Sequence, residues 1–293
     1  KLNDQGVLVD EKFFGHPGMI FTRPLSKGFI QFNDSSFALV STVFDSIFIG
    51  GSKRIYSKLL LLNKDLDTIK SFNFYDTISP SPDSYLNFED VLVTPDKGFI
   101  ILGAIRTDTT LNTNTHLLKL DSNGVMEWHN QYGGNVLNLL PTTLIITPDS
   151  GYCVGSIINK ADGTVNGYVF KTHKHGNKNW QKELGGQWKD YIYSIFLARD
   201  SSVLVTVSDR FDDYPNVNYP YIRTSLLNIR YKDGVLNWSK QWYHGNKLVP
   251  RSVVQSKDGS ILIAGNVKYV DTTLMSSGMH GSLLKLDENG DSI

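Results

Sequence analysis

The chain has 293 residues, of which 40% are hydrophobic and 20% charged, the proportions of a folded protein. Lysine plus arginine and aspartate plus glutamate both number 29, and zero net charge argues against a general nucleic-acid or anionic-membrane binder. The single cysteine, Cys153, rules out an internal disulfide. It lies in the apolar run Tyr152-Cys153-Val154 and reads as a buried strand residue. No apolar stretch reaches the ~18 residues of a helical membrane span, so membrane insertion is not expected. The chain starts at Lys1 rather than methionine, which fits a processed or trimmed chain, and any targeting segment would lie outside this sequence.

Taken in order, the predicted elements repeat. Lys1-Leu2-Asn3-Asp4-Gln5-Gly6-Val7 opens the chain, and Phe13-Phe14-Gly15 follows. Residues 28–75 hold a degenerate unit with Leu59-Leu60-Leu61-Leu62-Asn63 and then Thr68-Ile69-Lys70-Ser71-Phe72. Residues 85–133 hold the clearest one. There the hairpin Val91 to Gly103 turns through Thr94-Pro95-Asp96-Lys97-Gly98, and Leu117-Leu118-Lys119-Leu120-Asp121-Ser122-Asn123-Gly124 precedes Trp128 and Tyr132-Gly133. Residues 139–185 repeat it with Thr147-Pro148-Asp149-Ser150-Gly151, then Lys171, Gly176, Trp180 and Gly185. Residues 191–245 carry Leu226 to Ile229, Gly234 and Trp238. Residues 249–293 carry Asp258-Gly259 and Leu283-Leu284-Lys285-Leu286-Asp287-Glu288-Asn289-Gly290, where the chain stops.

The residue before the second turn falls at Leu2, Leu62, Leu120, Thr172, Ile229 and Leu286, at intervals of 52 to 60 residues. Four short strands per interval, Gly-containing hairpin turns and no 3.6-residue period predict an all-β, single β-propeller spanning residues 1–293. It has five four-stranded blades, with inner strands near 28–32, 87–94, 142–147, 191–198 and 250–256. The opening segment matches the outer strand that the last unit lacks. Residues 7–14 are therefore expected to pair with Ser282–Leu286 and close the ring, which removes free edges. A fragment of a longer array is the alternative.

The pattern Lys-Leu-Asp-x-Asn-Gly, then Trp, then Tyr-Gly-Gly and Asp-Gly-Gly-Tyr resembles the β-propeller repeats of secreted and surface proteins of bacteria that use type IX secretion. The resemblance covers the whole chain as repeats and departs at Asp10, where the repeat tryptophan would fall, and at Phe72. It implies an extracellular or outer-surface location. It implies no activity, because the repeated residues are structural.

Individual residues carry little chemistry. Trp128, Trp180 and Trp238 recur at one strand position and read as packing between blades. The Asp-x-Asn-Gly segments at 121–124 and 287–290 offer too few oxygens for calcium and read as tight turns. His173 and His175 lack a third ligand nearby, and His16, His116, His129, His244 and His280 show no spacing. No catalytic residue, metal site or cofactor is assigned. Glu89, Asp90 and Asp190 lie where inner strands begin, so a glycan-active enzyme with carboxylates at the channel mouth stays open as an alternative. A purely structural domain of a larger surface protein also stays open.

The uneven feature is loop length. The connections between second and third strands and between blades share one face and vary most. The segment from Asp209 to Arg223 carries Phe211, Tyr214, Tyr219 and Tyr221; Trp188 and Tyr269 stand in others. Exposed aromatics are contact chemistry for sugars and proteins. The expected function is therefore a non-enzymatic binding or scaffold module that takes a protein or glycan partner on these residues.

Overall fold

The computed structural model describes residues 5–8, 11–15, 19–22, 28–45, 54–74, 85–107, 110–133, 138–186, 189–209, 222–244, 247–271 and 276–293. No helix occurs among them. Alternation and β-branched or aromatic runs between Gly and Asx turns dictate short strands, and every strand pairing is antiparallel.

Sheet I holds β1 (Met19–Thr22), β2 (Phe29–Asn33), β3 (Ser36–Asp45), β4 (Arg54–Asn63) and β5 (Thr68–Phe74). Sheet II is β6 (Tyr85–Val93), β7 (Phe99–Thr107), β8 (Thr110–Leu120) and β9 (Met126–Tyr132). Sheet III is β10 (Asn138–Ile146), β11 (Tyr152–Asn159), β12 (Val165–Thr172) and β13 (Lys178–Leu184). Sheet IV is β14 (Asp190–Leu197), β15 (Ser202–Asp209), β16 (Ile222–Arg230) and β17 (Leu236–His244). Sheet V is β18 (Lys247–Gln255), β19 (Ile261–Asp271) and β20 (Ser276–Leu286). Strands follow one another across each sheet, and the first strands β2, β6, β10, β14 and β18 touch in chain order. This is the radial arrangement of a β-propeller.

Sheet I departs from the expectation of one inner strand. β1 pairs with Thr42–Asp45 and β2 with the start of β3, so two pieces share one edge of β3. The other inner strands carry a bulge at the same place. Glu89, Thr142, Tyr193 and Arg251 are each the extra residue. Pro141 and Pro250 precede two of the bulges, which an edge strand tolerates because it needs no N–H there.

Apolar cores fill the gaps between sheets. Leu59, Phe88, Phe99 and Leu118 join sheets I and II; Leu102, Leu117, Tyr152 and Phe170 join II and III. Cys153, Val169, Ile192 and Val205 join III and IV, and Leu204, Leu226, Ile263 and Leu286 join IV and V. Cys153 is fully buried, and burial pushes its thiol up to about 12.

Trp128, Trp180 and Trp238 each lie against a turn of the next sheet. A Cβ on Gly176 would lie 2.9 Å from Trp128, one on Gly234 2.8 Å from Trp180, and one on Gly290 2.9 Å from Trp238. Trp180 also donates its indole N–H to the Tyr231 carbonyl at 2.7 Å. Phe72 takes the same place against Gly124. In sheet I the turn residue is Leu66, with φ of 63°. The repeat tryptophan of the opening segment would fall at Asp10, outside the described residues.

Candidate functional site

Trp188, Phe211, Tyr214, Tyr219 and Tyr221 lie outside the described residues, as does the side chain of Tyr269, whose backbone belongs to β19. The described part of the candidate site is therefore the frame at the innermost strands.

The bulge residues differ from sheet to sheet. Glu89 is buried and accepts from the Asn87 amide, which in turn receives the Thr42 hydroxyl from sheet I. Thr142 donates to the Gly155 carbonyl at 3.0 Å. The Arg251 guanidinium lies 5.2 Å over the Tyr193 ring, and Tyr191 stands 6.5 Å from Tyr193. A cation over a phenol face is attracted by the ring quadrupole. Tyr191, Tyr193 and Arg251 were not singled out in the sequence. The signal for the two tyrosines was the alternation in Asp190-Tyr191-Ile192-Tyr193.

The three acids do different work. Asp90 is buried. Its Oδ1 accepts from Val91 N–H at 2.8 Å and its Oδ2 from Leu144 N–H of sheet III at 3.2 Å. Ser194 repeats the second bond, with its Oγ accepting from Val253 N–H at 3.3 Å. These side chains satisfy backbone donors at the inner edge. Asp190 accepts from Gly186 N–H at 2.9 Å and from Arg223 at 3.2 Å. Its register position is occupied by Leu86, Leu139 and Leu248 in sheets II, III and V.

Histidines told a different story from their spacing. His173 and His175 sit exposed on a turn, whereas His116 and His129 meet, Nδ1 to Nε2, at 2.7 Å. They are thirteen residues apart, and only the antiparallel β8–β9 pairing brings them together. No group of three or more metal-binding side chains occurs among the described residues.

Lys119 of the Lys-Leu-Asp motif and Lys171 at the equivalent position are buried structural cations, whereas Lys285 of the last copy is exposed. Lys171 is fully buried and binds Asp149 of the Thr-Pro-Asp turn at 2.6 Å. Lys119 binds Asp96 of the equivalent turn and Glu127, each at 2.9 Å. Burial of Asp149 raises its carboxyl, but bonds from Lys171, Thr147 and Gly151 outweigh this and leave it lowered. Asp96 is likewise held at about 2: burial raises it, and Thr94, Lys119 and Gly98 more than offset that.

No family model and no curated protein matches this chain. Solved structures with a similar fold exist. Drosophila Plexin A, in its complex with Semaphorin 1b, superposes with a TM-score of 0.51 at 10% identity over 94% of this chain. The match covers 52% of the plexin chain, so this protein spans about half its length. The β-propeller domain of the Trilobed protease from Pyrococcus furiosus gives 0.48 at 12% identity, over 94% of this chain and 70% of that one. An endo-arabinase from Bacteroides thetaiotaomicron gives 0.47 at 12% identity, over 94% and 100%. At these identities the likeness is one of fold alone.

Proposed function

We propose that the chain is a non-enzymatic binding or scaffold module, a five-bladed ring that works outside the cell or on its outer surface. It takes a protein or glycan partner across the face where the inner strands begin. One observation carries this reading. The bulge position of the inner strands holds Glu89, buried against Asn87, and Thr142, Tyr193 and Arg251, which reach the surface: different side chains on a frame that otherwise repeats. Variation on a constant scaffold is how loop and edge positions acquire specificity. The extracellular assignment rests on the resemblance of the repeats to surface propellers, and export by type IX secretion is part of the same proposal.

Ring closure by the opening segment has support of its own. Lys12 bonds Asp67 at 2.9 Å, and Lys240 bonds Asp291 at 2.5 Å. Asp67 and Asp291 hold the same place after the second turn of sheets I and V. Lys240 reaches forward from the outer strand of the preceding sheet, and Lys12 makes the equivalent reach. This equivalence supports the reading in which residues 7–14 take the role of the outer strand of sheet V.

The purified protein is to be screened on a glycan array and against surface-protein extracts. Replacing Tyr193 and Arg251 together by alanine is expected to weaken the partner found by at least ~1 kcal/mol, with the melting temperature kept. A triple alanine variant at Phe211, Tyr214 and Tyr219 is expected to do the same. Unchanged affinity in both variants would remove this face from the function.

A further inference from the structure

The four interfaces between successive sheets use equivalent positions, so they can be compared within one molecule. Between sheets II and III, large side chains fill the outer half. Tyr132 packs on Phe170 in a tilted contact, ring centres 4.8 Å apart, and donates its hydroxyl to the Gly176 carbonyl, while Tyr168 bonds Gln181 across β12 and β13. Between sheets III and IV the corresponding residues are Leu184, Leu227, Ser225 and Ser239. All four are smaller, and a cleft of about 250 Å³ remains, lined by them together with Asp190 and Arg223. Close packing is the rule in protein interiors, so a recess between sheets departs from it; another, of about 500 Å³, lies between sheets IV and V beside Trp238, Asp258 and Asn289.

The same interface carries two polar departures. Asp190 is a buried carboxylate where sheets II, III and V place leucine. Asn166, 6% exposed, spends its amide N–H on Glu183, and its Oδ1 is buried with no hydrogen-bond partner among the described residues. Asn166 Oδ1 and Asp190 Oδ2 converge on Gly185, a residue of the cleft wall: a Cβ there would lie 2.8 and 2.7 Å from them. A buried acceptor without a donor costs free energy that a ligand hydroxyl would recover.

We propose that this cleft binds one neutral, hydroxyl-rich ring, a single sugar residue. Its hydroxyls donate to Asn166 Oδ1 and Asp190 Oδ2, and its apolar face lies on Leu184 and Leu227. Charge argues for a neutral ligand, because the ionic groups are matched: Asp190 with Arg223 at 3.2 Å, and Glu183 with Lys160 at 2.5 Å. Lys182, half-buried, also lines the cleft. Size argues for one ring, because the cleft lies below the roughly 300–1,000 Å³ of drug-sized sites. The site is separate from the inner-edge face, so either proposal can fail without the other.

The test is saturation-transfer NMR on the full chain with D-glucose, D-galactose, D-xylose and N-acetyl-D-glucosamine, and with glucuronate and tetramethylammonium as charged probes. At least one neutral sugar is expected to bind, with a dissociation constant on the order of 1 mM. The double variant Ser225→Tyr, Ser239→Gln brings in the filling pair of sheet III and is expected to abolish the signal. Asn166→Ala, which leaves the cleft open, is expected to weaken binding at least tenfold and serves if the double variant misfolds. The Tyr193→Ala, Arg251→Ala protein is expected to keep the signal. The proposal falls if no neutral sugar binds, if only a charged probe binds, if the filled variant still binds, or if the inner-edge variant loses the signal.

Discussion

Lys171 brings an ammonium group into a site with no solvent exposure, and Asp149 is the carboxylate that meets it there. Breaking a buried pair from one side leaves an unpaired charge, whereas removing the charge itself is much milder. Asp149→Ala is therefore expected to lower stability by about 3 kcal/mol, and Lys171→Met by less than half of that, both read by urea denaturation. The acid limb follows from the same bonds. Asp96 is lowered in the folded state from 3.8 to about 2, so its contribution is complete above 3.8 and drains away as pH falls toward 2. Stability measured across that window should fall in the parent chain and fall less steeply in Asp96→Asn. The motif lysine was visible in the sequence, but its partner was not, because the aspartate sits one hairpin upstream and reads locally as turn chemistry. The turns hold another residue-scale expectation. Lys97, Ser150 and Ser201 take φ of 63°, 60° and 65°, where the last repeat has Gly259 at 90°. Replacing Ser150 by glycine should raise stability by roughly 0.5 kcal/mol, because glycine adopts this region without a Cβ penalty.

At the scale of the element, tryptophan and glycine form a unit that spans two sheets. Gly234→Leu has to place a side chain where Trp180 lies and to hold a positive φ, and the loss should exceed about 3 kcal/mol. Leu66→Gly, at the equivalent turn of sheet I, should be neutral or stabilising. Matched thermal melts of the two variants decide this, and equal losses would refute the pairing of the two residue types. Periodicity made most strands legible, including the inner strands within a few residues. The broken inner edge of sheet I was not, because β1 is four residues long and too short to show alternation. The bulges were hidden for a related reason: one extra residue does not interrupt an apolar run, and only Pro141 and Pro250 marked the edge. The meeting of His116 and His129 was out of reach until the register of β8 and β9 was known.

For the whole molecule, the decisive expectation concerns the opening segment. If residues 11–15 act as the outer strand of sheet V, deleting residues 1–15 should lower the melting temperature by several degrees and promote association through the exposed edge of β20. Lys12→Ala alone should change stability by less than about 1 kcal/mol, since the pair with Asp67 is open to water. The cleft between sheets III and IV was invisible in the sequence. It arises from four separate substitutions, each unremarkable until the interfaces are laid side by side.

The shared bulges have a consequence for how the chain can go wrong. Sliding a strand by one residue would turn its apolar side outward and would also carry the bulge away from the place its neighbour accommodates. Slippage is thus penalised twice in β6, β10, β14 and β18. Exchange is not, because an inner strand from one sheet meets the same irregularity in another. Trapped refolding products are then expected to be trades of whole units, within one chain or between two, with every strand in native register and the wrong partner beside it.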